Sequence, residues 1–460
     1  MILADGARED CFRDLLNQGA LPHIERELLQ RGSFLKGVTV FPSTTGPAYF
    51  PFLTGCFPGT MNVPGIRWFD KDSFANPKKK MVKFRSYVGL ETFLINSDMS
   101  PNPTAFDLLD RSYSIFNSVC RGAGKRNLTK IMRIWYWYYA HLTDRWEFLD
   151  QIALRKTLKA IEEDFNFLFV VFPGIDEYSH LAHPFHEQTI AQYRFLDRAV
   201  GEMVARLKAK GWWDETILWI VSDHGLSQTH THFCVNTFLE ARGLPVFYYP
   251  KVFHRRGKKV ANMVSGNGMT HLYFKNGKEW AGPAPREEIE KINPKILTDL
   301  VAEPAVDIVA LRCADGSVDV LSKRGEAKLK WNGKTLSYAV KGTDPFGFPS
   351  STPTLLHSNT STLLDTDYPD APWQIASLFK SSRTGDLVLS AAPGFDLRLK
   401  YEEPEHKGSH GSLHREHMLV PVVTNAKLPA EICRTADVFP TLLRLMSKEI
   451  PSGMDGVSLV

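Results

Sequence analysis

Short apolar runs alternate with longer amphipathic stretches along most of the chain. Ile2-Leu3-Ala4 reads as the end of a buried strand, and Asp5-Gly6 follows it directly. Residues 8–32 place Leu15, Leu16, Ile24, Leu28 and Leu29 at near-helical spacing and stop at Gly32, which predicts a helix. A strand is expected over 35–40. Phe165 to Phe172 is almost unbroken apolar sequence, the pattern of a strand covered on both faces. Helices are expected over 151–164, over 185–210 with Gly211 as the stop, and over about 435–447. Further strands are expected at 216–221, at 418–423 and within 386–400. This alternation predicts an α/β fold: a mostly parallel central sheet with helices on both faces.

The pattern changes between 246 and 350. Glycine and lysine rise, short alternating runs appear, and Asp315-Gly316 and Asn332-Gly333 are hairpin-turn signals. An inserted, mainly antiparallel α+β subdomain is expected there, capping a core made of 1–245 and 351–460. Residues 57–145 are irregular, with a short helix expected at 104–111, and read as a second insertion on the substrate side. Within it, Lys78-Lys79-Lys80 reads as a solvated loop. Residues 130–142 are unusually aromatic. The pattern favours a packing helix, with the wall of an apolar pocket or a lipid-facing surface as the alternative.

Composition narrows the function. Hydrophobic residues at 43% and charged residues at 23% are ordinary for a globular protein. A net charge of +4 is too small for a typical nucleic-acid binder and fits a small anionic substrate. Six scattered cysteines, without a Cys-x-x-Cys pair, suit neither a disulfide framework nor a thiolate zinc site. No apolar run approaches the roughly 20 residues that span a bilayer, so no transmembrane segment is expected. Met1 to Asp5 is too short for a secretory signal, which makes the cytoplasm the expected compartment. Only four residues precede Asp5, and a missing upstream piece is a second expectation.

The candidate chemistry starts at Phe41-Pro-Ser-Thr-Thr-Gly-Pro-Ala-Tyr-Phe-Pro-Phe-Leu-Thr-Gly55. Thr44 and Thr45 stand before Gly46-Pro47, where a strand would hand over to a helix. A hydroxyl there is expected as the N-cap, and the first turn is expected to favour an anion. Three other pieces share its setting: Asp176-Glu-Tyr-Ser-His180 and Asp223-His224 at the ends of apolar strands, and Gly408-Ser-His410-Gly-Ser412 before a late one. Asp5 makes a fourth. Carboxylates and imidazoles without cysteine suit zinc or manganese in a catalytic site. Two such ions would stabilise an in-line displacement at phosphorus, and one would activate a threonine hydroxyl. His183, His186, His230, His232, His406, His414 and His417 are left outside this set.

From Asp5-Gly-Ala-Arg8 to Arg434-Thr-Ala-Asp-Val-Phe-Pro-Thr-Leu-Leu443 and Gly453-Met-Asp-Gly456, the sequence resembles the alkaline phosphatase superfamily. The closer resemblance is to its type I phosphodiesterase / nucleotide pyrophosphatase branch. The resemblance implies that Thr45, one residue before Gly46-Pro47 and nine before Thr54-Gly55, is the nucleophile. It implies that Asp5, Thr45, Asp223 and His224 hold one divalent metal ion, and Asp176, His180 and His410 a second. Zinc is the first choice, with manganese or iron as alternatives. The implied activity is hydrolysis of a phosphodiester or pyrophosphate bond through a covalent phospho-threonine. The substrate would be a small anionic phosphoester such as a nucleotide or a lipid head group. The alternatives are a phosphomonoesterase, or a phosphotransferase moving a head group onto a lipid or glycan alcohol.

Two departures bear on the substrate. Many nucleotide-cleaving members carry an Asn about twenty residues past the nucleophile, a place Ile66 occupies here, with Arg67 beside it as a candidate substrate contact. Gly46 stands where such members often have an aromatic residue. Sulfatases, which need Cys or Ser at the nucleophile, fit less well.

Overall fold

The computed structural model describes residues 1–75, 84–252, 256–357, 362–398 and 405–460. The Lys78-Lys79-Lys80 stretch lies outside the described residues. A seven-stranded sheet forms the centre, in the order Ile432–Arg434, Ser33–Val38, Leu419–Thr424, Trp219–Val221, Ile2–Ala4, Phe167–Phe172, Ser112–Ile115. All pairings are parallel except the two made by Leu419–Thr424, so six strands run one way and that strand runs against them. The fold is therefore α/β with a mostly parallel central sheet, as the apolar runs predict. The central strands are buried along their whole length, which is why their sequence does not alternate. Glu9–Asn17 packs against Leu419–Thr424, and Glu147–Glu162 packs on Phe167–Phe172 and on the long Glu187–Ala209 helix.

Several element boundaries differ from the sequence pattern. The helix expected over 8–32 is broken into Glu9–Asn17, Pro22–Ile24 and a wider-pitched Glu25–Leu29 turn. Gly19, in the left-handed region at φ +67°, and Pro22 account for the break. The strand before the threonines is Ser33–Val38, and the helix expected at 104–111 is the single turn Ala105–Leu108.

The second sheet has nine strands and is antiparallel apart from one edge pair. It does not stop at residue 350. Leu355–His357 forms one edge, and Leu387–Ala391 pairs in its middle with Val306–Arg312 and Met269–Phe274. A buried ion pair ties it to the 57–145 region: Lys71 Nζ donates to Asp386 Oδ2 at 2.9 Å. Asp386 also accepts the Phe274 and Ala284 backbone N–H groups, so this buried charge is well satisfied.

Candidate active site

Four parallel strands of the central sheet deliver side chains to one place, at their C-terminal ends, where open α/β sheets form their crevices. Ile2–Ala4 ends in Asp5, Trp219–Val221 runs into Asp223-His224, and Phe167–Phe172 leads into the Gly174–Leu181 helix. That helix sets Asp176 and His180 four residues apart, hence on one face. Ser33–Val38 leads to Thr45. The fifth contribution, His410, comes from the loop after Gly408–Ser409, which pairs with the Ser227–His232 strand that follows His224.

The threonine hydroxyl does not cap a helix, contrary to the N-cap expectation. Gly46, at φ +90°, takes the cap position before a short Pro47–Tyr49 turn and the Phe50–Thr54 helix. Neither turn is long enough to make an anion site by itself. Thr45 instead turns inward, with Oγ1 3.1 Å from His224 Nε2 and 3.4 Å from Asp5 Oδ1. The buried hydroxyl of Thr44 has no hydrogen-bond partner.

Around Thr45 the groups crowd. His224 Nε2 is 3.5 Å from Asp5 Oδ1 and 3.3 Å from Asp223 Oδ2. His180 Nε2 is 3.4 Å from Asp176 Oδ1. The His224 and His410 rings stack with centroids 3.7 Å apart, and His180 lies 5.2 Å from His410. Two triads, Asp176/His180/His410 and Asp5/Asp176/His224, each bring their ligand atoms within 4.8 Å of one another. Asp176 therefore stands between the two halves of the cluster.

The tautomers are fixed from behind. The Nδ1–H of His180 donates to Gly408 O at 2.7 Å, that of His410 to Ser43 O at 2.9 Å, and that of His224 to Gly225 O at 3.2 Å. A carbonyl can only accept, so each Nδ1 keeps its proton and each Nε2 presents a lone pair to the cluster. Asp176 Oδ1 and Asp223 Oδ2 are buried without hydrogen-bond partners. Burial raises the Asp5 pKa to about 6 and holds Asp176 and Asp223 well above the usual carboxylate range. Burial also lowers His180 and His224 well below the imidazole range and His410 to about 4. Three desolvated acids facing three neutral imidazoles, with orphaned oxygens between them, make a donor set suited to divalent cations.

A model of type I phosphodiesterase / nucleotide pyrophosphatase matches residues 1–413. The chain belongs to that family. Membership supports hydrolysis of phosphodiester or pyrophosphate bonds as its class of activity. A comparison with curated proteins finds no match. Among solved structures, murine ectonucleotide pyrophosphatase / phosphodiesterase 5, an inactive threonine-to-alanine variant in complex with AMP, is similar at 13% identity. The TM-score is 0.58, covering 98% of this chain and 95% of that one. Phosphonoacetate hydrolase from Sinorhizobium meliloti 1021, in complex with phosphonoformate, is similar at 15% identity. Its TM-score is 0.56, covering 95% and 93%. Human ectonucleotide pyrophosphatase / phosphodiesterase 5 gives 13% and 0.57, covering 98% and 95%. These likenesses establish the fold that this family member shares.

Several residues around the acid–imidazole cluster carry no motif signal. Tyr49 donates its hydroxyl to Asp5 Oδ2 at 2.7 Å, leaving Oδ1 toward Thr45. Arg133 is a buried cation within electrostatic reach of Asp5, Tyr49 and Glu177. Its guanidinium lies 4.1 Å over the Trp137 ring and donates to Phe116 O and Thr92 Oγ1. An arginine inside an aromatic run was the available clue. His406 lies 4.4 Å from the His180 ring. The second sheet also reaches in: Gly268 N–H donates to His410 O at 2.7 Å, and Ser265 Oγ accepts the Ile66 N–H at 2.8 Å. Arg67 lies on the Arg67–Phe69 strand, where its Nε donates to Ser86 Oγ and its guanidinium faces the Tyr249 ring. No helix among the described residues is long and apolar enough to cross a membrane.

Proposed function

We propose that the chain is a metal-dependent phosphodiesterase whose nucleophile is Thr45. The observation that carries this reading is the position of Thr45 Oγ1, between His224 Nε2 at 3.1 Å and Asp5 Oδ1 at 3.4 Å, at the edge of the buried acid–imidazole cluster. Asp5, Thr45, Asp223 and His224 would hold one divalent ion, and Asp176, His180 and His410 a second. Zinc suits these nitrogen and oxygen donors, with manganese or iron as alternatives. When bound, such ions supply the positive charge that acidifies the Thr45 hydroxyl and offsets charge on the phosphoryl oxygens.

The chain's own residues do the rest. Tyr49 and the backbone carbonyls behind the imidazoles fix the donor atoms before substrate arrives, so little reorganisation is left for the reaction. Thr45 Oγ loses its proton to solvent and forms a bond to phosphorus. The bond from phosphorus to the leaving oxygen breaks, and that oxygen leaves with the electron pair and takes up a proton. Water then attacks the phospho-threonine and loses a proton, and the bond from phosphorus to Thr45 Oγ breaks; Oγ keeps the electron pair and takes up a proton, and a phosphate monoester is released. The murine neighbour's inactivity as a threonine-to-alanine variant supports a threonine nucleophile, and its AMP ligand supports a small anionic phosphoester as substrate.

The test is hydrolysis of a nitrophenyl phosphate monoester against a bis- or nucleotidyl nitrophenyl diester, after chelation and again with zinc or manganese restored. Faster diester cleavage that follows the metal is expected. Faster monoester cleavage would make the protein a phosphatase, and a new product with an added acceptor alcohol would make it a transferase. Diester cleavage that survives complete chelation would overturn the metal-dependent reading.

A further inference from the structure

The Arg133–Thr143 helix carries apolar residues on two faces, one packed on the core and one open to solvent. Its cation, Arg133, is buried, and Ala140 is buried on the same side. Tyr136 and Trp137 pack against the core, but a separate apolar set faces solvent: Trp135 is 68% exposed and Leu142 83%, with Tyr138 and Tyr139 exposed between them. Ile131, just before the helix, is 82% exposed. Positions 131, 135, 138, 139 and 142 follow the helical period and share one face. A second exposed segment lies alongside. Leu90, in the Gly89–Leu94 turn, is 73% exposed, and Val88 and Leu94 are exposed with it. The two segments adjoin, since a Cβ at Gly89 would lie 3.9 Å from the Tyr138 hydroxyl and Arg133 Nη1 donates to Thr92 Oγ1 at 3.3 Å. Single exposed apolar residues are ordinary, whereas a continuous face of them marks a contact surface.

Charge says what covers it. Residues 111–143 contain Arg111, Arg121, Lys125, Arg126, Lys130 and Arg133 and no Asp or Glu. Of these, Lys125, Arg126 and Lys130 are exposed and lead straight into the apolar face. The flanking acids are already engaged in part: Glu91 accepts the Ser86 N–H, and Glu147 pairs with Arg145. Asp144 follows the helix. A second copy of this chain would bring like charges together across a two-fold interface. An anionic bilayer satisfies both features, taking tyrosine and tryptophan at the head-group level, aliphatic tips below it, and cations against lipid phosphates.

The face also borders the candidate site. Ile95, one residue past the Gly89–Leu94 turn, would lie 3.6 Å from a Cβ at Gly46.

We propose that the face formed by Ile131–Leu142 and Val88–Leu94 docks the protein on an anionic lipid bilayer. Resting on the phosphodiesterase reading, docking there draws the substrate from the head-group plane.

The experiment is co-sedimentation of the full chain with vesicles of phosphatidylcholine, alone or mixed with phosphatidylglycerol, at low and high salt. Binding to the mixed vesicles, weakened by salt, is expected. Lys130→Glu is expected to weaken it roughly fivefold or more, and Leu142→Glu and Trp135→Ala about tenfold, with unchanged melting temperatures. Sedimentation reads no turnover, so a failure of the phosphodiesterase reading would leave this test intact. The proposal is overturned if the wild type does not bind the anionic vesicles, or if Leu142→Glu binds them equally well. Elution of the wild type as a dimer that Leu142→Glu converts to a monomer would also overturn it, assigning the face to a second copy.

Discussion

His224 Nε2 lies 3.1 Å from Thr45 Oγ1, while its Nδ1 is held by the Gly225 carbonyl. The imidazole therefore offers the threonine a lone pair and not a proton. Thr45→Ala is expected to reduce diester turnover by about a thousandfold or more, because no neighbouring hydroxyl takes its place between His224 and Asp5. Thr45→Ser, which keeps the oxygen, is expected to retain measurable turnover. Steady-state kinetics on both variants, with melting temperature as a fold control, is the measurement. An active alanine variant would remove Thr45 from the mechanism.

Metal removal is expected to cost stability as well as activity. Asp176 Oδ1 and Asp223 Oδ2 are buried without partners, and the three acids of the cluster repel one another once charged. A cation that binds only the folded chain relieves this and shifts the unfolding equilibrium by mass action. Dialysis against a chelator is expected to lower the melting temperature by about 2 °C or more, and restored zinc to recover it. A melting curve indifferent to both treatments, alongside elemental analysis of the two samples, would leave the cluster without its ions.

Gly266 is where the second sheet touches the site. It sits at φ +64°, and a Cβ there would lie 2.9 Å from His410 Nδ1, 3.0 Å from Thr44 Oγ1 and 3.1 Å from Gly411 Cα. Gly266→Ala would strain the turn and press on the ring that donates to Ser43 O. The expected result is a loss of roughly 1–2 kcal/mol of stability together with a fall in kcat larger than any rise in KM. A variant with wild-type kinetics would show that His410 does not need this turn to hold its place.

How much of this was readable in the chain depended on the kind of signal. The central strands were legible because burial on both faces leaves an unbroken apolar run, as in Phe167–Phe172. Asp5, Asp176 and Asp223 stood out because each comes within four residues of the end of such a run, where a polar residue has few structural reasons to be. Tyr49 and Arg133 were not, since a tyrosine within an apolar helix and an arginine within an aromatic one read as packing until the fold brings them to Asp5. The extent of the second sheet was hidden for a related reason. Leu387–Ala391 is remote in sequence from Val306–Arg312 and Met269–Phe274, and strand pairing at that separation leaves no local mark.

Asp150 gives a pH dependence from a group outside the candidate metal ligands, although the Asp5 charge adds to its shift. It is buried in the Glu147–Glu162 helix, and its Oδ1 accepts the Gly174 N–H at 3.1 Å, at the start of the helix that carries Asp176 and His180. Burial raises its pKa from 3.8 to about 8. Across that window the folded chain keeps a proton that the unfolded chain releases, so this residue makes stability fall as pH rises. Asp150→Asn keeps an acceptor for Gly174 and removes the titration. The variant is expected to match the wild type near pH 4 and to exceed it by roughly 2–4 kcal/mol near pH 8. Urea unfolding of both proteins at the two pH values checks it, with the difference between them as the readout. A difference that stays constant with pH would mean that Asp150 is ionised in the folded chain and that another group compensates its charge.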